Sequence, residues 1–207
     1  MNRYRSWVQE NMEAGAHNEF GRHVHKKYPG MRVYAFNSGV AVAAQSKVLD
    51  GHFIDPYTNT MGLYISLRGC RAVMRPDQDL VAMTWGNREK PVDQRMPQQA
   101  ACYIAGSNIL STFGDGELKD DAWLSTVRNS VRPFIGLPVF KSSPKVLVLP
   151  GQWSGATLSS VYFWITGFAH YDVCHGWAAP YVKLDNYDLV FAHAAWHPDL
   201  PAWVKKG

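Results

Sequence analysis

The 207 residues carry 21 Lys and Arg against 17 Asp and Glu, a formal net charge of +4, with 46% hydrophobic and 13% aromatic side chains. At ~25 cal/mol per Å² buried, that much apolar material supports a folded core without crosslinks and excludes a disordered chain. The mild basicity suits anionic ligands but falls short of the charge density of dedicated nucleic-acid binders.

In the N-terminal stretch Val8, Met12, Ala16, Phe20 and Val24 recur every four positions. This predicts a helical segment within residues 1–30, closed by the turn residues Pro29 and Gly30. Its basic run, Arg22-His23-Val24-His25-Lys26-Lys27, reads as a solvated helix end that suits the helix dipole. The same run is the candidate surface for a protein or nucleic-acid partner.

Residues 31–207 are expected to form a single α/β domain. From 31 to 106 the pattern becomes β-rich, with strands predicted at 33–36, 63–67 and 80–85 and a turn or bulge at Gly69. Residues 86–99 are polar and proline-bearing and read as an exposed loop, and 101–105 as a buried strand. A helix follows over 116–131, with Leu118, Ala122, Val127 and Val131 at helical spacing and acidic residues near its start.

The last third is the most regular. Residues 145–149 form a continuous apolar run between prolines, which predicts an interior parallel strand buried on both faces. A helix over 159–168 and strands over 171–174 and 188–191 should follow. The fold class expected is therefore α/β: a Rossmann-like parallel sheet core with an N-terminal helical segment and an additional β-rich region. In such a fold, ligands bind outside the C-terminal ends of the strands.

No apolar stretch approaches the ~20 residues of a membrane-spanning helix, and residues 1–11 lack the apolar core of a secretory signal. The three cysteines, Cys70, Cys102 and Cys174, are odd in number and widely spaced, which predicts free buried thiols. Together these features lead to the expectation of a soluble, cytoplasmic protein with no membrane partner.

The segment Gly151-Gln152-Trp153-Ser154-Gly155-Ala156-Thr157-Leu158 joins the apolar run to the next expected helix. Small residues at such a junction leave backbone N–H groups free to hold an anion at the helix N-terminus. Ala156 replaces the lysine of a Walker-type loop, and Ser154 stands one place late for a G-x-S-x-G nucleophile elbow, so ATP hydrolysis and serine hydrolysis are both disfavoured.

Ser154-Gly155-Ala156-Thr157-Leu158, after the strand at 146–149, resembles the phosphoribosyl pyrophosphate loop of the phosphoribosyltransferases. The resemblance implies that Ser154, Gly155, Ala156, Thr157 and Leu158 bind the 5′-phosphate of a ribose phosphate or nucleotide. Trp153, in the same segment, is a further ligand-binding candidate whose ring could cover a ligand or fill the core. In an active member, Mg²⁺ would neutralise the pyrophosphate. Most members carry two acidic residues just after the strand, where this chain has Leu149 and Pro150. The resemblance therefore leaves open whether the chain is a transferase or a catalytically degenerate binder. The alternative is a noncatalytic interaction protein that uses the basic helix and exposed aromatic residues.

Two other groups of residues bear on chemistry. His170 with Cys174, and His193 with His197, are each spaced by four. That spacing brings two ligands to one metal only on a helix, and these segments read as strands, so no metal site is assigned. A nucleophilic Cys174–His193 pair would require the two to be neighbours in space.

Overall fold

The computed structural model describes residues 8–36, 43, 46–54, 60–85, 92–113, 121–140, 145–150, 171–174, 176–193 and 197–206. In chain order, a π-helical stretch (Val8–Glu13) runs into α1 (Ala14–Lys27), followed by β1 (Tyr34–Phe36) and β2 (Gly51–Ile54). Next come α2 (Thr60–Val73), β3 (Asp79–Trp85), α3 (Val92–Ile104), β4 (Ile109–Phe113) and α4 (Asp121–Val131). The last third holds β5 (Val146–Pro150), β6 (Asp172–Val173), β7 (Leu189–His193) and α5 (Leu200–Lys206), with 3-10 turns at Gly176–Tyr181 and Leu184–Asn186.

The strands form two sheets, one of four strands in the order β1-β2-β3-β4 and one of three in the order β6-β5-β7, and every pairing is parallel. The Rossmann-like α/β expectation is met. The apolar run at 145–149 is the central strand of the second sheet. Its alternation explains why no polar residue interrupts it: Leu147 and Leu149 enter one apolar cluster with Cys174, Val182 and Leu184, whereas Val146 and Val148 enter another with Ile65 and Val173. A strand covered on both faces has no side for a polar residue.

Helix α2 joins the two sheets. At about 100° per residue, Leu63, Leu67 and Cys70 fall on one side and pack against Leu80 and Ala82 of β3. Ile65 and Ala72 fall on the other side and pack into the clusters of the second sheet. This corrects the reading of 63–67 as a strand and of Gly69 as a turn: Gly69 is buried inside α2. A short apolar run cannot distinguish a strand from a helix that is apolar all round, and here the second sheet supplies the cover that makes the helix apolar.

A second correction concerns 101–105 and the proline-bearing stretch before it. Residues 92–104 are helix α3, with Pro97 inside it. Buried Gln98, Ala101, Cys102 and Ala105 lie at spacings of three and four, and that packed face outweighs the hydrogen bond lost at the proline. The helix ends in a Schellman motif, in which Ser107 N–H donates to Cys102 O at 3.0 Å and Gly106 N–H to Tyr103 O at 2.9 Å. Gly106 takes the left-handed φ of +86° that this motif requires.

The N-terminal helix is where expected, but its stripe is not. Met12 and Phe20 are 57% and 60% exposed, while Ala14, Gly21 and Val24 are buried. A strict four-residue repeat drifts by about 40° per step around a 3.6-residue helix, so the expected stripe winds out into solvent. His25 ties this helix to the first sheet through Asp50 (2.8 Å), which also accepts the Val33 N–H at 2.7 Å. Helix α4 begins at Asp121, and the expected helix residues 116–120 lie outside the described residues, as does the expected helix at 159–168.

No described helix is long and apolar enough to cross a membrane. Cys70, Cys102 and Cys174 are all buried and unpaired. Protein denatured without reductant should therefore titrate as three free thiols, and a count of one would reveal a disulfide.

His52 of β2 is fully buried. Burial, followed by the nearby charges of His17, Arg75 and Arg71, pulls its pKa from 6.5 down to about 4. The unfolded chain then binds a proton that the folded chain refuses, so stability should fall as pH drops from 6.5 towards 4, by on the order of 3 kcal/mol in total. Denaturant unfolding across that range should show a flatter pH dependence for His52→Gln. An unchanged slope would assign the acid sensitivity to other groups.

Candidate functional site

The order β6-β5-β7 gives the second sheet a topological switch point. The chain leaves β5 to form β6 on one side and later returns to place β7 on the other. Connections from neighbouring strands that depart in opposite directions open a crevice outside the C-terminal strand ends, the usual ligand position in open α/β sheets. The register pairs Leu149 with Ala192 and Pro150 with His193, so residue 151 follows directly from that edge. The candidate ligand residues Trp153, Ser154, Gly155, Ala156, Thr157 and Leu158 lie outside the described residues.

Leu149 is fully buried in the apolar cluster on one face of β5. The sheet thus uses as packing the position at which a phosphoribosyltransferase would carry an acid. The described residues at the C-terminal ends of β5, β6 and β7 are Leu149, Pro150, Val173, Cys174, Ala192 and His193. None of these described residues is a carboxylate.

A buried ion pair joins the start of β6 to α2. Arg68 of α2 donates from Nε (2.8 Å) and Nη2 (2.6 Å) to Oδ1 of Asp172 on β6, and their side chains are only 5% and 4% exposed. The second carboxylate oxygen accepts the Tyr187 hydroxyl at 2.6 Å, and Arg68 Nη1 reaches Ala105 O at 3.1 Å. Burial raises the pKa of Asp172, and Arg68 and Tyr187 act against that rise. The Tyr187 hydroxyl is pushed well up, first by burial and then by the adjacent carboxylate, and stays protonated as a donor.

The opposite, N-terminal edge of the strands is polar and highly connected. Arg71 donates to Gly106 O (2.9 Å), Gln78 O (2.8 Å) and Asn108 Oδ1 (3.1 Å). Asn108 in turn bonds Asp79, whose other oxygen accepts Tyr34 OH at 2.6 Å and pairs with Arg32 at 2.8 Å. A cavity of about 610 Å³ opens at this edge, lined by Arg68, Arg71, Arg75, Lys145, Asp172 and Tyr187 among others. It is not legible in the sequence because its residues come from at least five separate segments; the only signal is the spacing of Arg68, Arg71 and Arg75.

Of the histidine and cysteine candidates, His197 and Cys174 are described, and neither is poised for chemistry. His197 is buried, with Nε2 against Val182 O at 2.9 Å and Nδ1 accepting the Asp199 N–H at 3.1 Å, so both ring nitrogens serve the turn before α5. Burial raises the pKa of the Cys174 thiol, as do Cys70 and Asp172, so it is not poised as a thiolate. Among the described residues no group of three or more His, Cys, Asp and Glu side chains is arranged to hold a metal ion. His170 and the side chain of His193 are not among those described.

No family model, curated protein or solved structure matches this chain significantly.

Removing one partner of a buried ion pair leaves the other charged and unpaired, which typically costs ~3–5 kcal/mol. Arg68→Met should lower stability by about that amount in urea unfolding, and adding Asp172→Asn should recover part of it. An unchanged midpoint for Arg68→Met would show that the pair does not hold α2 to the second sheet.

Proposed function

We propose that this protein binds a small phosphorylated ribose compound at the β5–β7 switch point, through the backbone N–H groups and hydroxyls of Ser154, Gly155, Ala156, Thr157 and Leu158. The supporting observation is the strand order: β5 is central, both its neighbours are parallel to it, and the segment 151–158 leaves its C-terminal end. In this reading the loop amides hold the phosphate, Thr157 adds a hydroxyl donor, and Gly155 lets the backbone approach the ligand closely. With Leu149 committed to the core, the chain binds the ligand and does not transfer its ribosyl group.

A second reading rests on the exposed side chains of the N-terminal segment. Met12, Phe20 and Tyr28 are exposed on the segment that also carries the exposed basic residues Arg22, Lys26 and Lys27, a composition that suits a macromolecular partner. Under that reading ribose phosphates leave the protein unaffected.

Calorimetric titration with ribose 5-phosphate separates the two readings. The parent protein should bind, Gly155→Val should abolish binding, and Thr157→Val should weaken it by roughly 5- to 150-fold, the equivalent of one hydrogen bond to a charged group. No binding by the parent, or affinity unchanged from the parent in both variants, would remove the loop assignment.

A further inference from the structure

The cavity at the N-terminal edge carries its own charge logic, separate from the switch point. Its volume of about 610 Å³ lies within the range of small-molecule sites, and four cationic side chains line it against one carboxylate. That carboxylate, Asp172, is taken up by Arg68 and Tyr187. Arg75 is paired outside the lining, with Asp77 at 3.1 Å. Arg71 and Lys145 remain.

Arg71 is held by three oxygen atoms, all uncharged: two backbone carbonyls and the Asn108 amide. Among the described residues no carboxylate lies within ion-pair distance of it, and the nearby Asp79 is already paired with Arg32. Burial first, then the neighbouring Arg68, lowers its pKa to about 10, which still leaves it charged at neutral pH. Three of its five N–H groups are engaged, which leaves two uncommitted. Lys145 is more loosely held, its nearest carboxylate being the exposed Asp188 at 3.9 Å. Ala72, Met74, Val139 and Phe140 provide an apolar wall beside these charges.

We propose that this cavity is a binding site for a small phosphomonoester with an apolar body, its phosphate between Arg71 and Lys145 and its body against Phe140 and Met74. A phosphomonoester carries a charge near −2 at neutral pH, which suits Arg71, without a carboxylate partner among the described residues, together with Lys145, whose exposed ion pair with Asp188 is long at 3.9 Å. Guanidinium donors suit phosphate oxygens geometrically, and an anion here offsets the cost of the buried Arg71 charge. The site stands apart from the switch point, since it is built from residues at and before the N-terminal ends of β3, β4, β5 and β7.

Phenyl phosphate is a suitable probe, titrated calorimetrically against the full chain, with phenylacetate as the singly charged comparison. The parent should bind phenyl phosphate at least about tenfold more tightly than phenylacetate, and the affinity should fall as salt rises. Lys145→Glu changes an exposed side chain, leaves the core intact, and should weaken binding by about tenfold or more. Arg71→Lys keeps the charge but loses the planar fork, and should also weaken binding; circular dichroism reports whether it is folded. Gly155→Val should leave the affinity for phenyl phosphate unchanged. Absence of binding by the parent, equal affinity for the two probes, indifference to Lys145→Glu, or loss of binding in Gly155→Val would each overturn the proposal.

Discussion

Helix α2 can lie between two sheets only because the one charged side chain that it sends into the second is neutralised there. Arg68 meets Asp172, 104 positions away in the chain, and Tyr187 completes the carboxylate's hydrogen bonds. A lone guanidinium at that depth would cost several kcal/mol, more than a single apolar contact returns. The pair thus sets which turn of α2 faces β6 and, through Ile65 and Ala72, where β5 is covered. Tyr64 and Tyr171 meet edge to face at 5.7 Å along the same junction.

The two ends of the strands divide the polar and apolar work. At the N-terminal edge Arg71, Gln78, Asn108, Asp79, Arg32 and Tyr34 bond one another and the backbone carbonyls exposed by chain turns. Gln78 alone donates to both Ser46 O and Leu49 O, pinning the chain before β2 to the turn before β3. Gly51 permits the closeness: a Cβ there would lie 2.7 Å from the Tyr34 ring. At the C-terminal edge of the second sheet, Leu149 is given to packing. The charged edge keeps Arg71 uncompensated, and that imbalance singles it out from an ordinary structural network.

The central strand was legible in the sequence because both its faces are buried, so its composition alone declares its place, and with it the parallel α/β class. The N-terminal helix, β1, β3 and the three free thiols were legible too, each from local composition or simple counting. Residues 63–67 and 101–105 were not. In both the same apolar letters serve strand or helix, and the choice rests on what packs against them: the second sheet against α2, and β3 and α2 against α3.

The sequence by itself therefore determined the fold class and the buried strand β5, since each is a property of contiguous residues. Only the tertiary structure decided that β5 is flanked by β6 and β7, so that its end is a switch point, because strand order depends on connections that no local pattern encodes. It alone placed Arg68 on Asp172 and left Arg71 and Lys145 facing one cavity. Pairing of charges is a matter of distance in space, and residues far apart in the chain become neighbours only when the helices and sheets between them have packed.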